Sequence, residues 1–263
     1  MHEHELTQFA VARGQVLMVC TSAADVGDRH DTGVWLCEVA VPYYIFKGNG
    51  YDVTFASISG GPIPVDKAAL SEAELRQHPE LARFLADDSA MQQLSASVPL
   101  SSVSRPPAYD CVFLAGGQGA MADMPGSKEL GRVLSDAAQH GKLIAAVCHG
   151  PAGLLGAVDA AGRPLLAGRT VACFTAQEED KTGAAGCMPF QLEQKLREAG
   201  ACVRAGQPGE ENALRDGFLV TGQNHASAAR VASLVLEALS VHPAGPEVAA
   251  PIVGHAAGAV TEA

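Results

Sequence analysis

The sequence predicts an α/β protein with a mostly parallel sheet, and two patterns carry this prediction. Short apolar runs of strand length alternate along the chain with longer amphipathic stretches of helical period. One run, at 142–147, stops at Cys148, and Gly150 and Pro151 follow before helical spacing of apolar residues resumes, which is typical of a strand, a sharp turn and a helix. The composition, with 48% hydrophobic and 18% charged residues among 263, allows such a fold to bury a sizeable core.

The amino-terminal part of the chain contains three predicted elements. The apolar run at 15–20 predicts a buried parallel strand, and 52–57 predicts a second one. Between them a helix is predicted over about 32–50, where glycines and an asparagine form a stop signal. Pro42 falls four residues after Glu38, so its ring crowds the Glu38 carbonyl, and the helix should be distorted there.

The rest of the chain continues the alternation. Residues 60–109 are less regular and are interpreted as an excursion from the sheet that forms a lid or an interface. Thr175 and Glu178 match a capping box, which gives Glu178 a structural role and leaves Glu179 free for another. The remaining predicted elements are strands at 111–115, 142–147, 163–166, 169–174, 201–204 and 218–221, and helices at 127–140, 190–199 and 226–239.

No shift in composition divides the chain before its last stretch. We therefore predict a single α/β domain over residues 1–240. The Ala/Gly/Pro-rich end, residues 241–263, has little to pack and is predicted to be a flexible tail.

Charge and cysteine usage narrow the partners and the compartment. The chain has 29 acidic and 18 basic residues, a net charge of -11, which disfavours nucleic acid and anionic membranes as partners. No stretch of about 18 apolar residues predicts a membrane span. Seven cysteines without a CxxC pair favour a reducing compartment, so a cytoplasmic location is expected. His2 and His4 belong to a loose amino terminus and the other histidines are far apart in sequence, so no metal site is predicted.

Cys148 is the candidate nucleophile because it lies at the apex of the predicted strand–turn–helix junction. Such a turn strains the backbone of its apical residue and lifts the side chain clear of the sheet, which is the geometry of a nucleophile elbow. Free N–H groups and the dipole of the following helix should lower the pKa of the Cys148 thiol. The alternative for a lone cysteine is a small core side chain, which we accept for the other six.

His149 and Glu38 are candidates for catalytic roles beside that sulfur. The backbone N–H of His149 is where an elbow enzyme builds half of an oxyanion hole, and its imidazole could move protons; a turn-capping histidine is the alternative. Glu38 lies among apolar neighbours, so if buried it would have a raised pKa suited to general acid–base work, whereas an exposed Glu38 would carry no such meaning.

The glycine-rich loop at 116–119 has several interpretations. Its spacing meets the loosest dinucleotide fingerprint, but the acid about 20 residues on, Asp136, belongs to a predicted helix, which disfavours a nucleotide. The backbone N–H of Gly117 could instead complete the oxyanion hole, and a plain tight turn is the remaining alternative.

Five motifs, in order along the chain, together resemble one known family: Thr32-Gly33-Val34-Trp35 with Glu38, Ala145-Ala146-Val147-Cys148-His149-Gly150-Pro151, Gly162-Arg163-Pro164-Leu165, Phe174-Thr175 with Glu179, and Val220-Thr221-Gly222-Gln223-Asn224. From about Val16 to Leu239 the chain resembles the ThiJ/PfpI superfamily, which has a class I glutamine amidotransferase-like fold. Within it, the glyoxalase III and heat-inducible chaperone-like branch is the most similar.

The resemblance implies a flavodoxin-like three-layer α/β sandwich, with helices on both faces of a mostly parallel sheet. It implies a lyase of glyoxalase III type that converts methylglyoxal, a small 2-oxoaldehyde, to lactate through a cysteine hemithioacetal. No cofactor is implied, and a homodimer is expected.

The resemblance also assigns roles to individual residues. It implies that Cys148 is the nucleophile, His149 its partner, Glu179 the acid that orients the histidine, and Glu38 a protonated carboxylate beside the sulfur. Gly117 and Gln118 are the candidate oxyanion and substrate-binding residues. The family's usual loop has histidine at the position of Gln118, and proline commonly stands at the position of His225, so both departures bear on the polarity of the pocket.

Other functions stay open beside the glyoxalase. A stress-related holding chaperone would use an apolar surface and leave the elbow vestigial, a protein deglycase would share the elbow, and a redox sensor would oxidise Cys148 to a sulfinate. Glutamine amidotransferase activity is disfavoured, because it expects a histidine and a glutamate close together late in the chain.

Overall fold

A computed structural model describes residues 12–105 and 107–241. A seven-stranded sheet runs through the centre, in the order β3-β2-β1-β4-β5-β9-β8, and a separate two-stranded sheet pairs β6 with β7. All paired strands are parallel except β8 and β9. In these described parts the strands are β1 (Gly14–Cys20), β2 (Tyr51–Ser57), β3 (Val98–Pro99), β4 (Cys111–Leu114), β5 (Leu143–Val147), β6 (Thr170–Val171), β7 (Cys202–Val203), β8 (Ala213–Asp216) and β9 (Leu219–Gly222).

Helices cover both faces of the seven-stranded sheet. The described α-helices are α1 (Cys37–Gly48), α2 (Glu72–Gln77), α3 (Pro79–Leu85), α4 (Asp88–Ser95), α5 (Ala120–Asp123), α6 (Lys128–Gln139), α7 (Ala176–Thr182), α8 (Leu192–Glu198) and α9 (Ala228–Val241). Side chains of β1 alternate between two cores: Val16 and Met18 pack with α1 and α9, whereas Leu17 and Val19 pack with α6 and α8. The predicted three-layer sandwich is confirmed.

The strand order fixes where a ligand can approach the sheet. From β1 the chain moves outward to β2 and β3, and it then returns to β4 on the other side of β1. In open α/β sheets the crevice for a ligand lies outside the carboxyl ends of the strands at such a switch point. Gly116 and Cys148 follow β4 and β5 at this edge, so the two predicted site segments are neighbours.

The first helix begins later than predicted. Val34 forms an isolated parallel bridge with Val65, which holds the backbone extended where the prediction had a helix, and α1 starts only at Cys37. Its first turn is tight, because the Val39 N–H bonds to the Leu36 carbonyl at 3.1 Å, one residue closer than in a regular α-helix. Pro42 lies inside the helix without ending it.

One predicted strand after the elbow is wrong, and one observed strand was not predicted. Residues 163–166 form no strand; Pro164 makes only an isolated bridge with Val158, in a loop closed by the bond from the Leu165 N–H to the Ala157 carbonyl. Strand β8 is missing from the prediction, although Asp216-Gly217 before β9 is a recognised hairpin signal. The helix after the elbow is a 3₁₀ helix, Gly150–Gly156, rather than an α-helix.

The segment at 60–109 contains α2, α3, α4 and the short edge strand β3. Its interpretation as a lid or an interface stays a prediction. The division of the chain into a domain of residues 1–240 and a tail of 241–263 also stays a prediction, because 1–11 and 242–263 lie outside the described residues and Val241 ends α9. Among the helices that the structure describes, none is long and apolar enough to cross a membrane.

Candidate active site

Cys148 occupies the strained turn that the sequence predicts. Its φ is +60°, in the left-handed region that side chains other than glycine rarely adopt. The turn is tied on both sides, since the Cys148 N–H donates to the Gly222 carbonyl at 3.0 Å and the Phe174 N–H donates to the Cys148 carbonyl at 2.8 Å. Cys148 is only 5% exposed, so the sulfur lies at the bottom of the crevice rather than on the surface.

Cys148, His149 and Glu179 form a chain of polar contacts. The Cys148 Sγ lies 3.3 Å from His149 Nδ1, and His149 Nε2 lies 2.6 Å from Glu179 Oε2. A carboxylate beside Nε2 places the imidazole proton there, which leaves Nδ1 free to accept the thiol proton. The ring of Phe174 packs 4.5 Å from the imidazole ring, centroid to centroid, and holds it in place.

Glu179 is held as an anion by its neighbours. Burial raises the pKa of this carboxyl, but hydrogen bonds from His149, Gln118 and Thr182 outweigh it, and the net pKa is lowered. Gln118 Nε2 donates to Glu179 Oε1 at 2.7 Å. The predicted capping box between Thr175 and Glu178 is present at the start of α7, and it fixes the turn from which Glu179 projects.

Glu38 lies fully buried in the first turn of α1 and hydrogen-bonds with Cys148. Burial raises its pKa to about 8, against the hydrogen bonds to Cys148 and to the Gly116 N–H, which lower it. The Gly116 N–H donates to Glu38 Oε2 at 2.8 Å. At neutral pH this carboxyl is therefore mainly protonated and can donate a proton.

The prediction that the Cys148 pKa is lowered is wrong for the resting protein. Burial raises the pKa of the thiol well above its usual value, and the neighbouring Glu38 adds to this, whereas the backbone N–H groups of Gly117 and His149 lower it. The following helix is a short 3₁₀ helix, so the dipole that the prediction invoked is weak. The resting sulfur is a thiol that needs a base at the moment of reaction.

The loop at 116–119 approaches the elbow so closely that side chains are excluded. A Cβ on Gly116 would lie 2.7 Å from Glu38 Oε2 and 2.8 Å from the His149 nitrogen. Gly117 has φ +98°, and a Cβ there would meet the backbone at Trp35. Because these two residues are glycines, the backbone N–H of Gly117 can hydrogen-bond to the Cys148 sulfur, as the backbone N–H of His149 also does.

Sequence reasoning missed three contacts at this site. Thr182 lies one turn after Glu179 on α7, and helical spacing could have found it. Gln118 contacts Glu179 across 61 positions, and Asn224 contacts Glu178 across 46, which no local pattern reveals.

A profile of the DJ-1/PfpI family matches residues 31–238, which include every residue of this site. The chain belongs to the DJ-1/PfpI family. The predicted resemblance to the ThiJ/PfpI superfamily is thereby confirmed.

Several known proteins are similar to this chain over most of its length. The glutathione-independent glyoxalase HSP31 of Saccharomyces cerevisiae is 31% identical over 237 residues, which cover 87% of this chain and 99% of the relative. The crystal structure of glyoxalase III from Candida albicans superposes with a TM-score of 0.77 at 27% identity, covering 86% of this chain and 97% of that one. The Francisella tularensis Rapid Encystment Protein reaches a TM-score of 0.80 at 31% identity, covering 86% and 99%.

In this DJ-1/PfpI protein a cavity of about 220 Å³ lies beside Glu179. Phe174, Met188 and Phe190 give it an apolar lining, and Glu179 contributes a polar wall. Glu179 therefore contacts both this cavity and, through its hydrogen bond at 2.6 Å, the His149 that adjoins Cys148.

Proposed function

We propose that this protein converts methylglyoxal and related 2-oxoaldehydes to 2-hydroxy acids such as lactate without glutathione. The observation that carries the proposal is that a thiol, a histidine–carboxylate pair and a protonated carboxyl meet at one strained residue, Cys148. The similarity to relatives named glutathione-independent glyoxalase and glyoxalase 3 supports it.

In the first step Cys148 adds to the aldehyde carbon. His149 Nδ1 takes the thiol proton as the S–C bond forms, and Glu179 stabilises the resulting imidazolium through Nε2. The former aldehyde oxygen becomes negative and is held by the backbone N–H groups of Gly117 and His149 before protonation gives a hemithioacetal.

In the second step a proton moves between the two carbons of the substrate. His149 removes the proton from the carbon bonded to sulfur, and Glu38 protonates the neighbouring ketone oxygen, which gives an enediol. His149 then returns its proton to the second carbon, and the hydroxyl on the sulfur-bound carbon gives its proton to the Glu38 carboxylate, which leaves a thioester on Cys148. One carbon is oxidised and its neighbour is reduced, so the step needs no external redox partner.

In the last step water attacks the thioester, the C–S bond breaks, and the thiol recovers a proton. Glu38 and His149 both contact Cys148, so two groups that can exchange protons with the intermediates lie beside the bond that breaks.

The test is lactate formation from methylglyoxal by purified, EDTA-treated protein without glutathione. We expect Cys148→Ala to abolish it, because the hemithioacetal cannot form, and Cys202→Ser, which changes an exposed cysteine, to leave it unchanged. Lactate formation that persists in Cys148→Ala would contradict the proposal.

The proposal extends to a homodimeric protein of the cytoplasm with a role in stress response. All seven cysteines are free, which suits a reducing compartment. Sedimentation of the full chain at several concentrations tests the dimer, and localisation of a tagged chain tests the compartment.

A further inference from the structure

Cys37, Glu74 and His78 form a second cluster of metal-ligating side chains. One donor atom from each, a sulfur, a carboxylate oxygen and an imidazole nitrogen, lies within 4.8 Å of the other two. Cys37 opens α1, Glu74 belongs to α2, and His78 links α2 to α3. The catalytic proposal above uses none of the three.

Two of these donor atoms are shielded from solvent without a partner. Glu74 Oε2 and His78 Nε2 make no hydrogen bond with any residue that the structure describes. They lie 3.9 Å apart, too far for a hydrogen bond, and their side chains are only 14% and 16% exposed. Buried polar atoms normally have a partner, and one ligand bound by both atoms would satisfy the two of them together.

The backbone holds the cluster in place. The His78 N–H donates to the Glu74 carbonyl at 2.9 Å, and the Leu81 N–H donates to the His78 carbonyl at 2.9 Å, so both residues are fixed by the helix ends. The ring of His225 lies 6.2 Å from that of His78, centroid to centroid.

We propose that Cys37, Glu74 and His78 bind a divalent transition metal of the zinc class, with His225 or water as the fourth ligand. Zinc accepts thiolate, imidazole and carboxylate in tetrahedral sites, whereas calcium and magnesium prefer oxygen donors only. Tetrahedral coordination needs donor atoms roughly 3.3–3.6 Å apart. The three donor atoms, within 4.8 Å of one another, are already near the spacing that a tetrahedral ion requires.

An ordinary ion pair between residues 74 and 78 is the competing explanation. It would account for one helical pair at i, i+4 spacing, with Cys37 as a core side chain, but it leaves both polar atoms without a hydrogen bond. The expectation of no metal site considered spacing along the sequence only, and the fold brings residue 37 beside residues 74 and 78.

Cobalt is the probe, because a thiolate bound to Co²⁺ gives a charge-transfer absorption that oxygen and nitrogen ligands do not. Full-length protein is treated with chelator, dialysed and titrated with Co²⁺. We expect this absorption to saturate at one equivalent and to disappear when Zn²⁺ is added. Cys37→Ser should abolish the absorption, and His78→Gln should weaken binding at least about tenfold.

Two controls separate this cluster from other thiols. Cys202→Ser changes an exposed cysteine and should keep the absorption. Cys148 with His149 is another sulfur–imidazole pair that could bind cobalt, so Cys148→Ala is the second control. It should also keep the absorption. Absence of the absorption in the unmodified protein, or its persistence in Cys37→Ser with loss in Cys148→Ala, would overturn the inference. If Cys37→Ser fails to fold, the cobalt affinity of His78→Gln at the half-buried helix junction tests the site, and an unchanged affinity would overturn the inference.

Discussion

Cys148 combines a strained backbone with a sulfur that is hard to ionise. A left-handed φ costs on the order of 1–3 kcal/mol at a residue other than glycine, and the hydrogen bonds to Gly222 and Phe174 hold the residue there. Burial opposes the thiolate, so the site depends on His149 to remove the proton during attack. The strained turn fixes the position of the sulfur, and burial keeps it protonated until His149 removes the proton.

The raised pKa of Glu38 makes stability depend on pH. The folded protein keeps the Glu38 proton up to about pH 8, whereas the unfolded chain loses it near the ordinary value of 4.5. The folded state therefore binds more protons between these values, and stability falls as pH rises, by at most about 1.4 kcal/mol per pH unit from this residue. Below pH 4.5 and above about pH 8 the contribution of Glu38 is constant.

Glu38→Gln tests this dependence because it keeps the shape and removes the titration. Urea unfolding of EDTA-treated protein at pH 5 and at pH 8 gives the free energy of unfolding of both proteins. We expect the variant to gain stability relative to the unmodified protein on going from pH 5 to pH 8. An equal change in both proteins would show that Glu38 is ionised in the folded state.

Sequence reasoning found the residues of the site better than their energetics. The position of Cys148 followed from an apolar run broken by glycine and proline, whereas the apolar neighbours of Glu38 left both a buried and an exposed carboxyl open, and the structure shows it buried. The pKa of Cys148 could not be predicted, since it depends on how deeply the loop at 116–119 covers the sulfur. That depth is set by contacts between distant segments.

At the scale of elements, α7 shows how a short helix can position a catalytic group. It has seven residues, too few to be stable alone, so its capping box and its tertiary contacts hold it. Glu178 accepts hydrogen bonds from the Gly209 N–H and from Asn224, which anchors the same turn from outside. Glu179, the next residue, takes its direction from this anchored turn.

Thr175→Ala removes the cap from α7 and should affect both stability and activity. Loss of an N-cap side chain costs about 1 kcal/mol. We also expect lactate formation to fall, because Glu179 would no longer be held against His149. Unfolding by urea and turnover of methylglyoxal measure the two effects.

Ser127→Ala is the matched control, since Ser127 caps α6 through the Leu130 N–H at 3.1 Å and that helix carries no proposed catalytic group. It should lose similar stability and keep its turnover. If both variants kept full turnover, the cap of α7 would have no part in positioning Glu179.

Strands whose residues are buried on both faces were predicted correctly, whereas an edge strand and an apolar loop were not. Strands β1, β4 and β5 are buried on both faces and appear in the sequence as unbroken apolar runs. Strand β8 is an edge strand with Arg215 and Asp216, so its pattern resembles that of a loop. Residues 163–166 include two buried leucines that pack from a loop instead.

At the scale of the whole molecule, the exposed apolar side chains of the described residues give little support to the alternative of a holding chaperone. The large hydrophobic side chains exposed within the described ranges are Leu70, Leu85 and Val241. Isolated apolar residues of this kind are normal on a protein surface, whereas binding of unfolded chains calls for a contiguous patch.

The net charge of -11 gives a prediction about substrates. Methylglyoxal is neutral, so its kcat/KM should change less than about twofold between roughly 0.02 and 0.5 M salt. 4,5-Dioxopentanoate is an anionic 2-oxoaldehyde, and repulsion should make its kcat/KM rise over the same range as salt screens the protein. Initial rates at matched pH measure both. A marked loss of kcat/KM for 4,5-dioxopentanoate with added salt would point to a cationic site that attracts anions.

The two edges of the seven-stranded sheet restrict how copies of this chain can associate. On one side β3 has two residues, one of them Pro99, which has no N–H to offer a neighbouring strand. On the other side β8 ends in oppositely charged residues and is already paired antiparallel to β9 along its four residues. Neither edge is a good template for extending the sheet into a second copy. A dimer would therefore be built from helices or loops, and its two sheets would remain separate.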